Sequence, residues 1–136
     1  VTRLSRRVGR FDTIVMFGNN FGLLGGKERA RWLLRRFKGM TTDRARIVAE
    51  TLDPYTTQDP AHLAYQKRNR ERGRMSGQLR LRVRYRTYAT PWFDYLFVSQ
   101  EEMASILDGT GWRIARILPG NGAMYIAVLE KDLYDD

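Results

Sequence analysis

Hydrophobic and polar positions follow two periods along the chain, and each change of period marks an element. The run Thr13-Ile14-Val15-Met16-Phe17 is apolar on both faces and predicts a strand covered from both sides, as in parallel sheets. A glycine-punctuated loop follows, Gly18-Asn19-Asn20-Phe21-Gly22-Leu23-Leu24-Gly25-Gly26. From Lys27 to Lys38 the apolar positions Ala30, Leu33, Leu34 and Phe37 recur at helical spacing, with arginines between them. This predicts an amphipathic helix packed on the sheet and stopped by Gly39. Arg46 to Leu52 predicts a second strand. One helix joins it to the first, so a right-handed crossover makes the two strands parallel.

Residues 56–77 form a polar insertion, in which Ala61 to Arg72 predicts a helix anchored by Leu63 and Tyr65. Beyond it the alternation is strict: Leu79, Leu81, Val83, Tyr85 and Thr87 interleave with Arg80, Arg82, Arg84, Arg86 and Tyr88. One long strand with a buried face and a face of four arginines is expected. Pro91 to Val98 reads as a short aromatic strand. Ser99-Gln100-Glu101-Glu102 is a capping box, and the helix it opens buries Met103, Ile106 and Leu107 before Gly109-Thr110-Gly111 ends it. Trp112 to Leu118 and Ala123 to Glu130 flank Pro119-Gly120-Asn121-Gly122, the signal of an antiparallel hairpin. The acidic tail from Lys131 to Asp136 is expected to fray. The fold class is α/β with a mixed sheet, in a single domain over residues 1–136 behind a lead-in of residues 1–10.

Composition narrows the chemistry. With 136 residues and 43% hydrophobic content the chain suits one domain with a core. It has no cysteine, which excludes disulfides, thiolate metal sites and a cysteine nucleophile, and His62 is its only histidine. No metal site is expected. No run approaches the roughly 18 apolar residues of a membrane span, and no secretory signal is visible, so a cytoplasmic location without membrane contact is expected. The net charge of +9 is uneven: residues 1–88 carry 21 Lys and Arg against 7 Asp and Glu, residues 89–136 only 3 against 8. Arginine makes up 20 of the 24 basic residues, which suits bidentate contact with phosphate or carboxylate. Ligands of open α/β sheets gather at the carboxyl ends of parallel strands. There the chain places Gly18, Asn19 and Asn20 after the first strand and Asp53 and Tyr55 after the second.

The order of elements, with Phe11-Asp12-Thr13-Ile14-Val15-Met16 running into Gly18-Asn19-Asn20-Phe21-Gly22, resembles the fourth-strand region of the Rossmann-like S-adenosylmethionine-dependent methyltransferases. Phe97 to Met103 and Gly109-Thr110-Gly111-Trp112 resemble that family's last helix and the start of its sixth strand. Ala123 to Lys131 resembles its closing antiparallel strand. The resemblance covers about residues 9 to 131 and implies the C-terminal half of such a fold. It implies S-adenosylmethionine as the cofactor of the complete protein, with Gly18, Asn19, Asn20 and Gly22 on the cofactor side. Asp53, Tyr55, Tyr65 and Asn69 are then the substrate-side residues, and Asp53 is the one carboxylate considered as a base. The family's glycine-rich cofactor loop is missing. The opening Val1-Thr2-Arg3-Leu4 leads straight to an interior-type strand, as in a chain entered midway, so a truncated member inactive by itself is expected. Its exposed sheet edge is expected to pair with a second copy or with a complete relative. A competing reading is a non-catalytic basic module that binds RNA or another polyanion through Arg80, Arg82, Arg84, Arg86 and the arginines from Arg68 to Arg74.

Overall fold

The computed structural model describes residues 1–133. Its strands are β1 (Phe11–Met16), β2 (Thr41–Leu52), β3 (Gln78–Leu81), β4 (Arg84–Tyr85), β5 (Tyr88–Ala89), β6 (Phe93–Leu96), β7 (Trp112–Pro119) and β8 (Met124–Lys131). Its helices are α1 (Lys27–Gly39), α2 (Pro60–Glu71) and α3 (Gln100–Leu107). The principal sheet has the order β1-β2-β8-β7, with β1 parallel to β2 and the other neighbours antiparallel. The fold is the α/β arrangement with a mixed sheet and a closing antiparallel hairpin that the sequence predicts.

One face of this sheet makes the core. Ile47, Ala49, Ala127 and Leu129 point from β2 and β8 into a cluster with Ala30, Leu33, Leu34 and Phe37 of α1 and Met103, Ile106 and Leu107 of α3. Trp112 locks α1 to β7, its indole Nε1 donating to the Leu34 carbonyl at 2.8 Å in the interior. The Ser99 capping box forms in both directions. The helix α1 runs through Gly39, and Met40 caps it, one residue later than the glycine suggests.

The opposite face is uncovered. Val15, Val48 and Val128 lie in register across β1, β2 and β8, and alternation turns them away from the helices. Val15 is 54% exposed, and the other two are half-buried. The expected two-sided burial of the first strand is thereby corrected: among the described residues β1 has a neighbour on one edge only, and its residues reach burial only at Met16.

The polar insertion departs furthest from expectation. Its helix forms as α2, but Leu63 is 46% exposed and anchors nothing; the buried positions are Gln66 and Asn69. The long strand from Leu79 does not form. It breaks after Leu81, resumes as β4 and reverses at Arg86-Thr87 into β5, with φ +54° at Arg86. The four arginines therefore do not share one row, and Leu81, Val83 and Tyr85 are exposed rather than a buried face. Of the tail, Lys131 is seated: its ammonium donates to the Lys38 and Thr41 carbonyls at 3.0 Å, beside the end of α1 where a cation is favoured. Tyr134, Asp135 and Asp136 lie outside the described residues.

Candidate functional site

The turn after β1 carries two consecutive left-handed residues, Gly18 with φ +66° and Asn19 with φ +62°. Glycine and asparagine are the residues that adopt this conformation at least cost, so the sequence itself specifies the reversal. Two side chains from elsewhere pin it. Glu50 Oε2, near the end of β2, accepts from the Gly18 amide at 2.6 Å. The Tyr95 hydroxyl, on β6, donates to the Asn19 carbonyl at 2.5 Å and lies 3.4 Å from Asn20 Oδ1. Burial raises the Tyr95 pKa, and the Glu50 carboxylate adds to the rise, so the phenol stays a donor. Gly22 is buried beneath the same ring, where a Cβ would stand 2.6 Å from Tyr95 Cζ. Within this tightly held turn Asn19 Oδ1 is buried and has no donor among the described residues. Buried acceptors are seldom left so.

Beyond β2, Asp53 Oδ1 accepts from the Tyr55 amide at 2.9 Å and caps the short 3-10 turn Pro54–Thr56. Tyr55 reaches across to donate to Glu102 Oε2 at 3.0 Å. Burial is the main cause that raises its pKa, and the Glu102 bond contributes. Asp53 and Tyr65 both line a cavity of about 630 Å3, whose apolar wall includes Leu52, Pro54, Leu79 and Phe97. Phe97 meets Tyr95 edge-on, with ring centroids 5.6 Å apart, and so joins this cavity to the ring that holds the Asn19 turn.

Asn69 is committed to structure, its amide nitrogen donating to the Ser76 and Gln78 carbonyls at 3.0 Å each. With Tyr65 it also lines a smaller cavity of about 290 Å3, shared with Arg68, Arg72, Arg74 and Arg80. Of the four arginines expected in a row, Arg80 turns to Asp94 at 3.2 Å, Arg82 lies over the Trp92 ring at 4.8 Å, and Arg86 lies over Tyr85 at 5.3 Å. Arg84 is exposed on β4. Asp94 gathers Arg74, Gln78 and Arg80. Burial works to raise its pKa, but those three hydrogen bonds outweigh it and hold the carboxyl below its ordinary value.

Glu50, Asp94 and Tyr95 escape sequence reasoning. Each is marked only by being a polar side chain on a strand whose neighbours face the core. A wider, open cleft of about 980 Å3 sits at the amino ends of β1 and β2, among Arg6, Arg10, Arg35 and Lys38. That is the end of a parallel pair where α/β folds do not place ligands, so the carboxyl-end cavities are the better candidates. Among the described residues no three potential ligands gather around a metal position, and no helix is long and apolar enough to cross a membrane.

No protein-family model and no curated protein matches the sequence. Solved structures do match in shape. An S-adenosylmethionine-dependent methyltransferase of Bacteroides fragilis, crystallised with S-adenosyl-L-homocysteine, aligns over 96% of this chain and 51% of its own at TM-score 0.74 and 22% identity. The CcbJ methyltransferase of Streptomyces caelestis aligns over 95% of this chain and 60% of its own at TM-score 0.61 and 8% identity. A methyltransferase of Clostridium acetobutylicum gives 88%, 58%, 0.55 and 6% for the same quantities. The chain thus spans between half and three fifths of the length of these structures. A parallel β1–β2 pair joined by α1 and closed by the antiparallel β7–β8 hairpin is the Rossmann-like α/β arrangement that this chain shares with these S-adenosylmethionine-dependent methyltransferase structures.

Proposed function

We propose that the chain supplies the acceptor side, and one wall of the cofactor side, of an S-adenosylmethionine-dependent methyltransferase. The observation that carries this reading is Asn19 Oδ1: a buried, unpartnered acceptor in a turn pinned by Glu50 and Tyr95, at the carboxyl end of β1 in a methyltransferase fold. An acceptor so placed fits a ligand that brings N–H or O–H donors, and S-adenosylmethionine carries both amino and hydroxyl groups. When bound, that cofactor supplies an electrophilic sulfonium methyl. What this chain contributes is alignment and exclusion of water. Gly18, Asn19 and Asn20 hold one boundary, and Tyr95 fixes their backbone. Asp53 Oδ2 makes no hydrogen bond among the described residues and is the atom left to take up a proton from the methyl acceptor.

Titration of the 15N-labelled chain with S-adenosylhomocysteine, followed by NMR, tests this. Shifts at Gly18, Asn19, Asn20 and Tyr95 that disappear in Asn19→Ala are expected. Binding by the chain alone should be weak, because the chain spans only about half the length of the methyltransferase structure it matches at TM-score 0.74. No response at millimolar ligand overturns the assignment.

The same reading calls for a cover on the valine face and a neighbour for the open edge of β1. An unpaired strand edge is a template for pairing with another chain, and edge-to-edge dimerisation of two copies through β1 is proposed. Sedimentation at micromolar concentration reads it, and a monomer argues against it. A second function, binding of single-stranded RNA, is favoured by one feature. The β4–β5 hairpin displays Tyr85 and Tyr88 at 66% and 76% exposure, with Arg82 and Arg86 stacked on neighbouring rings. Exposed rings and arginines together make a stacking platform for bases. Affinity that falls steeply with salt and drops in Tyr88→Ala is expected on that reading.

A further inference from the structure

The two cavities beside α2 share a wall. Tyr65 and Arg68, about one turn apart, line both the apolar cavity of about 630 Å3 and the arginine cavity of about 290 Å3. The first lies within the range of about 300–1,000 Å3 typical of small-molecule sites. Its walls present rings and aliphatic carbon from Leu52, Pro54, Leu79 and Phe97, with Asp53 and His62 as polar points.

The second cavity is strongly cationic. Arg68, Arg72, Arg74 and Arg80 converge on it, and among the described residues the carboxylate that answers them is Asp94, which pairs with Arg74 and Arg80. No carboxylate among the described residues pairs with Arg68 or Arg72. Three of these four arginines are held in place. Arg74 is held by Asp94 and by the Gln78 carbonyl, with its side chain 27% exposed. Arg80 is tied at both ends, its guanidinium to Asp94 and its amide to the Tyr65 hydroxyl at 3.0 Å. Arg68 rests over the Tyr65 ring at 5.9 Å. Guanidinium groups fixed before binding lose less freedom when an anion arrives, and their planar fork suits carboxylate and phosphate alike.

We propose that this composite site binds a small molecule with an apolar, ring-sized body in the larger cavity and one anionic group, carboxylate or phosphate, among the four arginines. Its role as methyl acceptor rests on the function proposed above; its binding does not. A polynucleotide would lay several phosphates along an open track, whereas here a single arginine nest adjoins a single apolar cavity. The anionic group fixes orientation. The apolar body then lies in the cavity that Asp53 also lines.

Calorimetric titration of the full chain with 2-naphthyl phosphate, 2-naphthoate, 2-naphthol and inorganic phosphate tests the proposal. The charged naphthyl compounds should bind at least about 10-fold tighter than naphthol or inorganic phosphate, the gain expected of one charge-assisted contact. The ratio of the phosphate to the carboxylate says which anion the nest prefers. Arg68→Ala and Arg72→Ala change exposed residues without an ion pair and should each lower that affinity about 10-fold. Arg44→Ala removes the same charge from an exposed position on β2 and should leave it within about twofold, as expected of screened charge at a distance. Equal affinity for naphthol and naphthyl phosphate overturns the proposal, as does an equal loss in all three variants. Displacement of naphthyl phosphate by a uridine decamer at far lower concentration also overturns it, in favour of the RNA reading. Because no cofactor is needed, a silent S-adenosylhomocysteine titration beside a positive naphthyl phosphate result would reject the methyl-transfer role alone.

Discussion

The sheet with α1 and α3, and the connection from Asp53 to Ser99, are built on different forces. In the first, Leu33, Leu34, Met103, Ile106 and Leu129 are wholly buried and meet one another through non-directional contacts. In the second, side-chain bonds to main-chain carbonyls hold the pieces in place. Gln66 donates to the Pro54 carbonyl at 2.7 Å, Asn69 bridges Ser76 and Gln78, and Asp94 collects Arg74, Gln78 and Arg80. Apolar packing yields stability and says little about where a polar atom points. Directional bonds yield less stability and fix side-chain positions, which is what a recognition surface requires. Both candidate cavities lie in the second region.

The largest effect belongs to the first region. Leu34→Ala removes a fully buried side chain between α1 and the sheet and should destabilise the chain by about 2–5 kcal/mol. Denaturant unfolding followed by tryptophan fluorescence reads this as a shifted midpoint of one cooperative transition. Asn69→Ala comes next, at about 1–3 kcal/mol, because the buried Ser76 carbonyl loses its donor and the part-buried Gln78 carbonyl is left with Arg74 alone of its two side-chain donors. Its signature should be local: hydrogen exchange should quicken for amides of α2 and β3 while those of Ile47 and Ala127 keep their protection. If Asn69→Ala instead lowers protection evenly throughout the sheet, the two regions are one cooperative unit and the contrast between them fails.

That contrast also explains what could be read from the chain beforehand. The helix α1, the capping box at Ser99 and the β7–β8 hairpin were legible because each is written in neighbouring residues: Leu33 and Leu34 at helical spacing, Ser99 before Glu102, Gly120-Asn121-Gly122 at a turn. The Gly18-Asn19 reversal was legible for the same reason. The break at Arg82-Val83 and the reversal at Arg86-Thr87 were not, since alternation continues straight through them and no Gly, Asn or Asp marks the left-handed residue. Leu63 misled because α2 is held by Gln66 and Asn69 rather than by an apolar stripe. Tyr95 and Glu50 brace the Asn19 turn from 76 and 32 residues away from the groups they bond, beyond the reach of any local pattern. The shared cavity at Tyr65 and Arg68 likewise depends on how α2 approaches the 76–80 segment.

Ser99→Ala probes the junction of the regions, where the connection hands over to α3. Loss of its bond to the Glu102 amide should cost about 1 kcal/mol, a shift of a few degrees in thermal midpoint. It should weaken α3 and the core beneath it, leaving naphthyl phosphate affinity unchanged.

The smallest effect is one of pH and is confined to the second region. Asp94 has a folded-state pKa below its ordinary value of 3.8. In the pH range between its folded and unfolded pKa values the unfolded chain therefore binds more protons, and stability rises with pH there. The Asp94 contribution is fully present above about pH 4–5 and is lost as pH falls through the folded pKa, because protonation then breaks the contacts with Arg74 and Arg80. For a partly solvated pair its size should stay below about 1 kcal/mol. Protection of the β3 and β6 amides should decline on acidification before that of β2 and β8, which are held by the apolar face beneath α1, with the Glu130 pairs to Arg46 and Arg113 on the other face. Asp94→Asn should remove this difference and, by releasing Arg74 and Arg80 from their partner, loosen the arginine nest at neutral pH as well. If β2 and β3 lose protection together in both proteins, the carboxylate is not what holds the insertion.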